Sequence, residues 1–193
     1  VRVYRRGAEP SEDLSATTSP EQRLAMIELL SREAFELAGQ PLPAYRRADA
    51  PVLAALLGAE ARFLVVGAHA LAVHGVPRAT GDLDVWIAAD PTNAERVWAA
   101  LLRFGAPVAA MGVSLDDLTL PDRVVQIGLP PRRIDILTAI SGVGFDEAWP
   151  DRVTHEVGGL AVPFLGRAAL VRNKRATGRT KDRADLEALG EAG

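Results

Sequence analysis

The chain has 193 residues, 48 % of them hydrophobic and 24 % charged, and a net charge of −3. That length can bury one good core, and the charge balance is not that of a protein that is basic throughout and binds nucleic acid with its whole surface. There is no cysteine, which excludes disulfides, thiolate zinc sites and thiol nucleophiles together.

No apolar run is long enough to span a bilayer and no signal-peptide pattern opens the sequence, so a cytoplasmic protein without a membrane partner is expected. Residues 1–19 are polar and turn-rich and read as an extended arm. Ser19 reads as an N-cap with Pro20 at the first helical position. Leu24, Ile27, Leu30, Ala34 and Leu37 then recur at three- and four-residue steps, which predicts an amphipathic helix ending before Gly39. Gln40-Pro41-Leu42-Pro43 is a stiff linker, and it divides an arm-plus-helix (1–45) from a main domain (46–193) on which the helix is expected to dock.

From Asp49 onward helices and strands alternate. A helix over 51–57 leads to a strand at 63–66, a helix at 68–73 and a strand at 83–87. Asp90-Pro91 opens a helix that runs to Phe104 and is stopped by Gly105. A loop-rich stretch follows, with a short helical candidate at 114–118. Strands at 123–127 and 134–137, joined across Gly128-Leu129-Pro130-Pro131, read as a hairpin, which makes the sheet mixed. A short helix at 145–149, a short strand at 160–162 and helices at 166–175 and 181–189 complete an α/β (α+β) domain of a mixed sheet flanked by helices.

Three carboxylates carry the chemistry. In Gly81-Asp82-Leu83-Asp84-Val85-Trp86-Ile87, acid alternates with large apolar residue, so Asp82 and Asp84 share one strand face. Asp135 stands in a second, very apolar strand, Arg133-Ile134-Asp135-Ile136-Leu137. Carboxylates that close repel unless a cation lies between them, and hard divalent ions such as Mg²⁺ (or Mn²⁺) take carboxylate oxygens. A lone Asp-x-Asp would more often be a solvated strand end; the third acid weakens that reading.

Residues 167–183 hold Arg167, Arg172, Lys174, Arg175, Arg179, Lys181 and Arg183 against Asp182 alone. This is either a patch for triphosphate or a nucleic-acid backbone, or a solvated helix face with ion pairs. Asp182 and Asp185 read as partners of nearby arginines. Arg78 and Thr80 lie in the link to the acidic pair, where a guanidinium can hold a phosphate. His69 and His74 are five apart rather than the four that would align them for a metal, and His155 reads as part of a polar turn. Ser141 lacks the setting of a hydrolase nucleophile, and Trp86, Trp98 and Trp149 read as core.

Upstream of the acids, Arg62-Phe63-Leu64-Val65-Val66-Gly67-Ala68-His69-Ala70 and Gly75-Val76-Pro77-Arg78-Ala79-Thr80-Gly81 complete a composite pattern. An apolar strand, a glycine turn, a short helix, an Asp-x-Asp strand and a later third acid resemble the nucleotidyltransferase superfamily, the polymerase-beta-like fold. With the tail Arg172-Asn173-Lys174-Arg175-Ala176-Thr177-Gly178-Arg179, the likeness is to small bacterial nucleotidyltransferase-like proteins related to abortive-infection toxins, over about residues 50–190.

The resemblance implies transfer of a nucleotidyl group from a nucleoside triphosphate (NTP) to the hydroxyl of RNA, particularly tRNA, or of a protein, with release of pyrophosphate. Asp82, Asp84 and Asp135 would be the catalytic and metal-binding residues, with Asp135 accepting the acceptor's proton. Gly67, Ala68, Arg78, Thr80, Lys174, Arg179 and Lys181 would hold the nucleotide. The implied biological role is the toxin of a toxin–antitoxin pair, with an antitoxin partner. Ala68 departs from the Gly or Ser that many active relatives carry, and it offers only its backbone amide. Two other readings stand beside this one: a catalytically inactive nucleotide-binding or interaction module, and an amino-terminal helix that inhibits the site, its Glu9–Asp13 acids reaching the basic tail.

Overall fold

The computed structural model describes residues 14–37, 49–128 and 133–191. Over these residues the chain is an α/β protein with a six-stranded mixed sheet and seven α-helices. The amino-terminal arm up to residue 13, the acids placed there and the linker at 40–43 lie outside the described residues.

Helix α1 (Pro20–Leu37) begins with a reciprocal cap. The Gln22 amide donates to Ser19 Oγ at 3.2 Å, and the Ser19 amide donates to Gln22 Oε1 at 2.7 Å. The helix docks on α3 (Gly67–Val73) and on strand β5 (Val153–Val157). One buried side chain anchors it: Arg23 donates from Nε to the Ala72 carbonyl and from a terminal nitrogen to the Val73 carbonyl, both at 2.6 Å. These are carbonyls of the last turn of α3, that of Ala72 also accepting from the Gly75 amide, and a guanidinium suits the negative end of the α3 dipole.

The sheet order is β3-β4-β2-β1-β6-β5, with β1 at Phe63–Val65, β2 at Asp82–Ile87, β3 at Val124–Ile127, β4 at Arg133–Leu137 and β6 at Leu160–Phe164. β3 and β4 form the expected antiparallel hairpin, β2 runs parallel to β4, and β1 is antiparallel to β2. Strand β5 is a correction. His155 does not stand in a turn but at the middle of β5, paired with Val162 across a two-residue hairpin made by Gly158 and Gly159, both at positive φ. The alternation Val153-Thr154-His155-Glu156-Val157 is polar enough to look like a loop, yet as an edge strand it needs only one covered face.

Helix α2 (Asp49–Gly58) packs on α4 (Pro91–Phe104), which starts at the Asp90 cap and stops at Gly105 in the left-handed region. Buried Asn93 of α4 accepts from the Arg62 amide at 2.6 Å and donates to the Arg62 and Ala88 carbonyls, closing the ends of β1 and β2. A 3₁₀ turn at Asp116–Leu118 fills the loop-rich stretch, and α5 (Phe145–Ala148) places Phe145 edge-on to Trp86. Phe63, Leu64, Trp86, Ile87, Ile136 and Phe164 lie at the centre of the core, each at most 1 % exposed. Burying side chains of this size is worth about 1.5–3 kcal/mol each, so the two acidic strands are fixed by their apolar residues and not by their acids.

Candidate metal centre

The site follows from one register. β2 and β4 run parallel with Asp82 beside Arg133, Asp84 beside Asp135, and Trp86 beside Leu137. Residues paired in register point to the same side of a sheet, so two acids of one strand meet an arginine and an acid of the next on one face. On the other face Leu83, Val85, Ile134 and Ile136 enter the core. Asp82, Asp84 and Asp135 each offer a carboxylate oxygen within 4.8 Å of the others. The sequence spacing placed Asp82 with Asp84; only the β2–β4 pairing brings Asp135 to them.

Each carboxylate is held separately. Thr80 donates its hydroxyl to Asp82 Oδ1 at 2.6 Å, and the Thr80 amide donates to Ser31 Oγ on α1 at 3.0 Å. Asp84 lies against Gly67: a Cβ at that glycine would collide with the Asp84 carboxylate, and Gly67 also takes a φ of 61°. Asp135 is buried, and Gln126 of the neighbouring β3 approaches its Oδ2 at 3.4 Å. Arg133 joins the set. It donates from Nε to Asp135 Oδ1 at 2.9 Å and from a terminal nitrogen to Asp82 Oδ2.

Three carboxylates therefore share one close guanidinium. The excess falls on Asp84, whose carboxyl is pushed up to about 6 by burial first and then by the charges of Asp82 and Asp135, against the pull of Lys181 and Arg133. An all-oxygen donor set with surplus negative charge suits a hard divalent cation, and Asp82, Asp84 and Asp135 can hold one.

The other sequence-derived candidates divide sharply. Lys181 is exposed and its charge reaches Asp84. Ala68 is buried behind Gly67. Three of the basic candidates face a different pair of acids, between α6 (Arg167–Thr177) and α7 (Thr180–Ala188). Lys174, 4 % exposed, lies 2.5 Å from Asp185 and 3.4 Å from Asp182. Arg179 donates to Asp182 at 2.8 Å, and Arg78 lies 3.1 Å from Asp185. Lys174, expected at a phosphate, has its ammonium enclosed with two carboxylates and joins α6 to α7. Arg179 and Arg78 are likewise engaged with acids. Arg167, Arg172 and Arg175 pair with Glu191 and Glu147, so much of the basic tail is an ion-paired face.

Sequence reasoning missed Arg133 and Gln126. The signal for Arg133 was present, since it stands two residues before Asp135 and so shares its face. Gln126 carries no such signal, because its place depends on the β3–β4 register. No protein-family model matches the chain, and a comparison with curated proteins found no match.

Proposed function

We propose that the chain is a metal-dependent nucleotidyltransferase of polymerase-beta-like fold, which moves a nucleotidyl group from an NTP to a hydroxyl of RNA (tRNA among the candidates) or protein. What carries this reading is the convergence of Asp82, Asp84 and Asp135 from two parallel strands with unneutralised negative charge. A divalent cation such as Mg²⁺ or Mn²⁺ on these carboxylates would neutralise triphosphate charge and stabilise the leaving pyrophosphate. The chain's own residues set the rest. Thr80 orients Asp82, Gly67 leaves the space that lets Asp84 approach, and Lys181 adds a solvent-facing cation for phosphate. As the acceptor oxygen bonds the α-phosphorus and pyrophosphate departs with the bonding pair, Asp135 takes the hydroxyl proton. The role we assign is that of a toxin held by an antitoxin partner, on the sequence resemblance alone.

A second reading is favoured by one observation. Arg133 already bridges Asp82 and Asp135, as it would in a nucleotide-binding or interaction module that has lost its chemistry. Incubation with each α-labelled triphosphate, Mg²⁺ and total tRNA, beside an Asp82→Ala/Asp84→Ala control, separates the two. Transfer of label to RNA or protein, lost in the control, is the expected result. Neither transfer nor Mg²⁺-dependent triphosphate binding would replace the enzyme by the module.

A further inference from the structure

Arg133 is seated where a cation would have to enter. The nearest partners of all four oxygens of Asp82 and Asp135 can be named: Thr80 at Asp82 Oδ1, Arg133 at Asp82 Oδ2, Arg133 at Asp135 Oδ1 and Gln126 at Asp135 Oδ2. Of these only Arg133 carries charge. A divalent ion on the two carboxylates competes with the guanidinium for the same oxygens and repels it as well. The hydroxyl and the amide do not repel a cation.

The pairing is also of a kind that yields. A guanidinium bonds most strongly when both arms of its fork meet one carboxylate, whereas Arg133 divides its arms between two. Its side chain is 29 % exposed and that of Asp82 26 % exposed, so water can replace the Asp82 bond as it breaks, while Asp135, 8 % exposed, would pass from the guanidinium to the ion. Lys174, 4 % exposed between its two aspartates, has no such exit. Once released, Arg133 cannot go far, because its backbone is paired with Asp82 in the sheet. It stays charged at every physiological pH and stands beside whatever anion the bound cation attracts.

We propose that Arg133 is a displaceable counter-ion of the triad: it holds Asp82 and Asp135 in the cation-free protein, cedes them to a divalent cation, and then takes the phosphate groups of the substrate. The inference rests on the metal-dependent reading of the site and adds a residue and an order of events to it. It also accounts for the bridge without requiring a dead site.

The test is calorimetric titration of the full chain with Mn²⁺ alone, and then with the Mn²⁺ complex of inorganic tripolyphosphate, a probe that needs no choice of base. Arg133→Gln is expected to bind Mn²⁺ roughly tenfold tighter than the unmodified chain and the tripolyphosphate complex roughly tenfold more weakly. Lys181→Gln removes an equal charge that acts on Asp84 without occupying the carboxylates, and should change Mn²⁺ affinity less than about threefold. Equal or weaker Mn²⁺ binding by Arg133→Gln, equal tightening by the two variants, or undiminished tripolyphosphate binding overturns the inference and leaves the metal centre standing. Absence of Mn²⁺ binding by every chain overturns the metal centre and the inference with it. A second measurement needs no variant: the Arg133 Nε–H resonance should move to the position of a solvated arginine as Mg²⁺ is added, and a resonance unmoved at saturation excludes displacement.

Discussion

Among the described residues are two clusters of buried or half-buried aspartates, and they are neutralised in opposite ways. Between α6 and α7, two carboxylates share three cations: Asp182 and Asp185 with Lys174, Arg179 and Arg78. Across β2 and β4, three carboxylates share one close guanidinium. Burial raises Asp182 as it raises Asp84, but at Asp182 hydrogen bonds from Thr177 and Arg179 and the charge of Lys174 more than reverse it, and the carboxyl ends below its ordinary range. At Asp84 nothing reverses it. The same residue type is a finished ion pair in one place and an open demand for positive charge in the other. A cluster that is satisfied holds helices together; a cluster left short of charge is where a ligand belongs.

The largest expected effect breaks the satisfied cluster. Lys174→Met should cost about 3 kcal/mol of folding free energy, because it removes the enclosed cation and leaves the buried Asp182 and Asp185 only the more exposed Arg179 and Arg78, while leaving Mn²⁺ affinity within about twofold. Chemical denaturation and metal titration read the two quantities. A stable Lys174→Met chain that has lost triphosphate binding would restore the phosphate role and collapse the contrast.

The opposite sign is expected at the unsatisfied cluster. Burial and its acidic neighbours push Asp84 up to about 6 in the folded chain against an ordinary 3.8, so its own contribution to the stability of the cation-free protein is full below about pH 4 and is lost as pH rises through 6. Asp84→Asn removes that loss. At pH 7 in chelator it should be more stable than the unmodified chain by on the order of 2 kcal/mol, with the difference gone near pH 4. The same variant should bind metal poorly. Denaturation at the two pH values checks this, and a difference that does not vary with pH would show that Asp84 is already compensated.

The smallest effect concerns how far the site extends. Ser31 on α1 accepts from the Thr80 amide, and Thr80 holds Asp82. Ser31→Ala should cost about 1 kcal/mol and weaken Mn²⁺ by roughly twofold to threefold. Deleting residues 1–45 sharpens the point. If α1 serves the site through Thr80, the deletion lowers metal affinity and activity; if it acts as an inhibitor, activity rises.

Local chemistry was legible in the sequence wherever a feature depends on neighbours along the chain. The Ser19 and Asp90 caps, the Gly105 stop, the β3–β4 hairpin and the shared face of Asp82 and Asp84 all follow from backbone periodicity and turn preferences, which act over a few residues. The edge strand β5 escaped because an edge needs little apolar signal. What tertiary structure alone decided is which charges meet. Asp135 joins Asp82 and Asp84 because β4 lies parallel to β2 in one register, and a slip of a single residue would have turned it to the other face. Lys174 and Lys181 look alike in a basic tail, yet one is sealed between Asp182 and Asp185 and the other stands in solvent with its field on Asp84. Charge interactions depend on separation and burial, and neither is written in the order of residues.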